Sequence, residues 1–216
     1  MPYSRKHHLE IEAGAGKALQ GIDLPARART LGFQIVEKPD ASKKIIVDYL
    51  GRRVYLDPAT LKTADAGGRP LPLQMRTILF HYLLNETASP LAGEFIPLRK
   101  ISEMMNYAEV IRRRSEIFLI RAFGKNPELL FDIIPEVDGA RVDIGDAAVR
   151  LFPLPLVPML VAIHGEDEGI PAEASVMFDR SATSMLHLED LVVIAELVSH
   201  KLVNMTASEN ASRPVS

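Results

Sequence analysis

Apolar positions along this chain follow two rhythms, one near every second residue and one near 3.6, and these separate sheet-forming from helix-forming stretches. Residues 31–36 alternate loosely. Ile45 to Leu50 then meets Arg53-Val54-Tyr55-Leu56 across Gly51, which predicts a short hairpin with glycine supplying the positive φ of a tight reversal. Residues 62–72, with Gly67, Gly68, Pro70 and Pro72, read as a turn-rich connector. Helical spacing takes over in residues 72–85, where Leu73, Met75, Ile78, Leu79, Tyr82 and Leu83 make a buried stripe. His81 lies beside that stripe and reads as a boundary histidine rather than a ligand. Residues 86–99 form a loop, 101–123 a helix with a break that Gly124 stops, and 127–134 a further short helix.

From residue 142 the β rhythm returns, in segments 142–144, 147–152, 157–164 and 174–178. Pro158 has no N–H for a ladder bond, so an edge or strand-start position is expected for it. The last helix spans residues 188–205 and buries Leu191, Ile194, Ala195, Val198, Leu202 and Met205. Residues 1–24 read as an N-terminal lead-in and 206–216, rich in Ser and Asn, as a flexible tail. Gly14-Ala15-Gly16-Lys17 resembles a phosphate loop only superficially: that loop needs glycine at position 11 and Ser or Thr at 18, where Ile11 and Ala18 stand. A helix beginning or a flexible lead-in is the better reading of it. The order of elements predicts an α+β fold over residues 25–205: a single domain, mainly antiparallel sheet with helices packed on it.

Composition narrows the function classes. The chain has 216 residues, 47% of them hydrophobic and 25% charged, enough to close a core without staples. A net charge of −3 offers no field for a polyanion, and Arg112-Arg113-Arg114 reads as the solvated face of a helix, so no nucleic-acid partner is expected. No apolar run reaches the ~18 residues that cross a bilayer, and MPYSRKHHLE is not a signal peptide, so the cytoplasm is the expected compartment with no membrane partner. Zero cysteines exclude disulfides, thiolate nucleophiles and a cysteine-ligated iron–sulfur cluster.

Residues 152–191 hold the densest candidate chemistry. An apolar strand ends at His164, three acids follow at Glu166, Asp167 and Glu168, and a second strand ends at Asp179. An imidazole at a strand end can ligate haem iron or corrinoid cobalt, with Asp167, Glu168 and Asp179 as a polar rim. Glu166, Glu168 and Asp179 could instead hold a hard cation, although adjacent acids converge poorly on one ion and turn-capping is the simpler role. Met159, Met177 and Met185 could wall an apolar pocket or simply pack the core. Ser181, Thr183 and Ser184 near His187 suggest a nucleophile and base, but lack the nucleophile-elbow motif. Glu189 and Asp190 suit the first turn of a helix, and His7-His8 reads as noise.

Two stretches carry a family resemblance: Ile78-Leu79-Phe80-His81-Tyr82-Leu83-Leu84 with Pro90-Leu91-Ala92-Gly93-Glu94-Phe95-Ile96, and PLPLVPMLVAIHGEDEGIPAEASVMFD ending in LHLEDL. They resemble the domain of unknown function 3786 family over roughly residues 30–204. The resemblance implies a setting rather than an activity: members occur largely in anaerobic bacteria and archaea. Some carry a cysteine-rich domain like that of corrinoid iron–sulfur proteins. This chain departs from the pattern in having no cysteine, and in placing Ile163-His164 and Gly169-Ile170 where members tend to have Trp and Phe.

The leading expectation is therefore a non-enzymatic accessory or binding protein in anaerobic one-carbon metabolism. It would hold a tetrapyrrole, a corrinoid in the first place or haem, or dock on a corrinoid protein or methyltransferase that carries one. His164 is the expected ligand. The alternatives are a cation-dependent hydrolase or transferase using Glu166, Glu168 and Asp179, and an interaction module that forms homo-oligomers through the last helix or the Arg112 helix.

Overall fold

The computed structural model describes residues 5–37, 41–101 and 107–212, with the backbone alone at residues 5 and 207–212. Two antiparallel sheets and their helices share one hydrophobic core, as an α+β chain should. The first sheet is built in chain order from β1 (Gln34–Glu37), β2 (Lys43–Tyr49), β3 (Arg52–Leu56) and β4 (Thr63–Ala64). Leu50 and Gly51 both take positive φ, 48° and 74°, between β2 and β3, giving the twist that a two-residue hairpin needs. A Cβ on Gly51 would stand 1.7 Å from the carbonyl oxygen of Glu136, so this turn also requires glycine for packing.

The second sheet has the order β5-β9-β8-β7-β6, with β5 (Phe95–Pro97), β6 (Ala140–Val142), β7 (Ala147–Leu154), β8 (Val157–His164) and β9 (Glu173–Asp179). Every residue of β8 except His164 is buried, which is why its sequence is continuously apolar instead of alternating. Pro158 sits at the start of this central strand, opposite the register shift between Leu151 and Leu154, where it has no cross-strand partner. It is a strand-start proline, not an edge one.

Nearly all helices answer to apolar spacing. α3 (Leu73–Leu83) buries Met75, Ile78, Leu79, Tyr82 and Leu83, and α8 (Leu188–Ser212) buries Leu191, Ile194, Ala195, Val198 and Leu202. Of the expected 101–123 helix, α4 (Ala108–Ile111) runs without interruption through a π-helical turn, Arg112–Glu116, into α5 (Ile117–Phe123), while residues 102–106 lie outside the described ones. α6 (Leu129–Asp132) and α7 (Ala182–Met185) are single turns. Tyr82 ties the layers together, donating to the Leu31 carbonyl at 2.9 Å and accepting from the Leu156 N–H at 3.1 Å.

The lead-in and the tail are more structured than their sequence suggests. α1 (Arg5–Ala18) packs on α3, with Glu12 ion-paired to Arg76. α2 (Leu24–Thr30) starts at Asp23, whose carboxylate accepts the Ala26 N–H at 3.1 Å, with Pro25 in the first turn. α8 continues to Ser212, through most of the stretch expected to be a flexible tail.

Candidate functional site

The sheet register separates the residues expected to form one site. His164 faces Glu173, the first residue of β9, whereas Asp179 is the last residue of that strand. At about 3.3 Å per residue the two lie roughly 20 Å apart along the sheet. His164, Glu166, Asp167 and Glu168 thus share one end of the sheet, and Asp179 belongs to the other.

At the first end the acidic run is a tight turn held by its own backbone. Asp167 and Ile170 exchange two hydrogen bonds, at 3.1 and 2.6 Å, and Glu168 and Gly169 take positive φ at the tip. Gly165 donates to Asp146 at 2.7 Å, and the Glu166 N–H donates to the Gly124 carbonyl at 2.9 Å. The three carboxylates are exposed, as is His164, whose ring lies against Gly145. Among the described residues, no group of three or more His, Asp or Glu side chains is arranged to hold a metal ion.

At the other end Asp179 is only 2% exposed and performs structural work. Its carboxylate accepts the N–H groups of Ala92, Gly93 and Ser181 at 2.9, 2.7 and 2.9 Å, and the Ser181 hydroxyl at 2.6 Å. Burial pushes this carboxyl upward, but the bonds from Ser181, Ala92 and Gly93 together outweigh it and hold the group below its ordinary 3.8. Asp179 therefore clamps the loop before β5 to the turn after β9, and its oxygens are occupied.

The other expectations also resolve. Met159 and Met185 are in the main core, while Met177 packs on the opposite face of the sheet with Ala148, Leu160 and Ala162, so the three do not wall one pocket. Ser181 bonds Asp179, Thr183 bonds the Arg180 carbonyl, and Ser184 bonds Ser89 and the Ser181 carbonyl; none of these hydroxyls engages His187. Arg113 and Arg114 pair with Glu109 and Glu196, which suits a solvated face.

Chemistry gathers instead where α1, α3 and α8 meet. His81, in the last turn of α3, lies with Nδ1 2.9 and 3.0 Å from the two carboxylate oxygens of Asp190, in the first turn of α8. Asp190 is 7% exposed and the His81 side chain 21%. The hydrogen bond to Asp190 raises the imidazole above its ordinary 6.5, against the opposing effect of burial. The ring of His187 approaches edge-on, its centroid 5.8 Å from that of His81.

Both imidazoles line a half-open cavity of about 230 Å³, walled by Ile78 and Val193 from α3 and α8 and by His8 and Ile11 from α1. In the neutral ring, a proton on Nδ1 donated to Asp190 leaves the lone pair on Nε2, the tautomer that a ligating or proton-accepting imidazole needs. Sequence reasoning passed over this pair because 109 positions separate its members and each had a sufficient local explanation.

Comparison with known proteins adds one finding. The profile of a family described as Domain of unknown function (DUF3786) matches residues 23–201, a span that includes His81, His187 and Asp190 but not α1. No curated protein and no solved structure matches the chain.

Proposed function

The chain belongs to the domain of unknown function 3786 family, and from that premise we propose that it is an accessory protein presenting an oriented imidazole to a tetrapyrrole, a corrinoid first, or to a partner that carries one. The observation that carries this reading is the His81–Asp190 pair at the cavity wall. A carboxylate on Nδ1 fixes the ring and raises the basicity of Nε2, the arrangement found behind ligating histidines. His164 has no such partner among the described residues, so the expected ligand moves from the end of β8 to α3.

The fit is specific about one point. Enclosed cofactor sites measure about 300–1,000 Å³, and this cavity is smaller, so a macrocycle would not be engulfed. That favours a cofactor borne by a partner, or one held across the cavity mouth. His81 would supply a nitrogen donor and Asp190 would orient it; the cofactor's metal would supply ligand-exchange or redox chemistry. For the alternative, a cation-dependent hydrolase or transferase, Asp179 lies at the far end of β9 from Glu166 and Glu168, so the three acids do not share one end of the sheet.

The test is an anaerobic absorbance titration with aquacobalamin and, separately, with haemin. A saturable spectral change abolished by His81→Ala supports the proposal. No change with either compound, or a change that survives His81→Ala, overturns it.

A further inference from the structure

We propose that the His81 cavity takes a small organic cation, an ammonium or similar N–H-donating group carried on an apolar body. This rests on the reading of that cavity as the binding site. Its walls make two demands on a ligand. Ile11, Ile78 and Val193 present hydrocarbon, which selects an apolar body. Glu189 and Asp190 bring two carboxylates to the lining, and neither Lys nor Arg lines it. Thr77 has donated its hydroxyl proton to the Leu73 carbonyl at 3.0 Å, so toward a ligand it can only accept. His81 in its neutral form has likewise given its one N–H to Asp190 and keeps a lone pair. Such a lining repels an anion and offers partners to a cation.

The features that could favour an anion instead are already satisfied. The positive end of the α8 dipole is met by Glu189 and Asp190 in that helix's own first turn. An imidazolium on His81 would be balanced by the Asp190 carboxylate 2.9 Å away. Arg76, on the same helix as His81, pairs with Glu12. Asp190 still has acceptor capacity, because a carboxylate offers about four lone-pair positions and only the Nδ1–H of His81 reaches its two oxygens. Burying an ammonium is costly unless it is paired, and Asp190, 7% exposed, places that pairing charge in the wall. Size sets the remaining limit. A cavity of about 230 Å³ suits one ring or a short branched chain.

The experiment titrates the full chain with benzylamine, benzyl alcohol and benzoate, which share a ring and differ in charge, at about pH 8.5, above the ordinary imidazole range. It follows the histidine Cε1 protons by NMR, with exposed His164 as internal reference. Benzylamine is expected to shift His81 and His187 saturably, to leave His164 unmoved, and to bind about tenfold more tightly than benzyl alcohol. Benzoate should not bind. Val193→Phe, which fills the cavity, is expected to weaken benzylamine binding about tenfold. Benzoate or benzyl alcohol binding as tightly as benzylamine, a His164 shift equal to that of His81, or no shift with any of the three would overturn the proposal. Unaltered benzylamine binding in a folded Val193→Phe protein would do the same; if that variant does not fold, the three-ligand comparison in the parent decides alone. No tetrapyrrole enters this titration, so a negative result leaves the cobalamin experiment to judge ligation by His81, and a cobalamin failure leaves the cation site standing.

Discussion

His81 is held between two opposing influences, and the outcome can be read one residue at a time. Asp190 favours the imidazolium and burial opposes it, with Asp190 dominant. Replacing Asp190 by Asn should lower the His81 pKa, followed through its Cε1 proton by NMR; an unchanged midpoint would refute the coupling. The sign for stability follows from linkage. A pKa raised on folding contributes stability that is full below the unfolded value near 6.5 and is lost as pH rises through the folded value. His81→Ala should therefore cost more in urea denaturation at about pH 5 than at about pH 9. Asp179 has the opposite sign, its folded pKa being depressed. Asp179→Ala strands three backbone donors and should cost about 3 kcal/mol near neutrality. That cost should shrink as pH falls through the depressed value, below the ordinary 3.8.

At the scale of elements, what could be read from the chain depended on how much apolar surface each segment buries. The β2–β3 hairpin, α3 and α8 were legible because their stripes are dense and Gly51 marks the reversal. α1 could be read only as a helix beginning or a flexible lead-in, because a helix with one buried side chain among the described residues has no stripe to find. α2 carried a readable signal, the Asp23 cap with Pro25 behind it, outweighed by its shortness. The hairpin yields a sharp prediction. A methyl on Gly51 would collide with the Glu136 carbonyl at a φ of 74°, so Gly51→Ala should melt well below the parent, by more than the ~1 kcal/mol of an ordinary glycine replacement. A thermal melt within a few degrees of the parent would contradict the packing of that turn.

For the whole molecule, topology decided which residues could act together. Strand ends at His164 and Asp179 invite the inference of a shared site, but antiparallel neighbours run in opposite directions, so the two C-terminal ends fall at opposite edges of the sheet. The acidic turn is closed by its own hydrogen bonds. By contrast, the long path from α3 through the second sheet to α8 brings His81 to Asp190, a meeting that no local spacing encodes. Among the described residues no helix is long and apolar enough to cross a membrane.

On the function proposed above, His81 and not His164 is the imidazole this protein presents. The most direct measurement is a side-by-side anaerobic titration of the parent, His81→Ala and His164→Ala with aquacobalamin, read by absorbance. A saturable shift is expected in the parent, persisting in His164→Ala and vanishing in His81→Ala. A shift that vanishes with His164 and survives the loss of His81, or no shift in the parent, would contradict it.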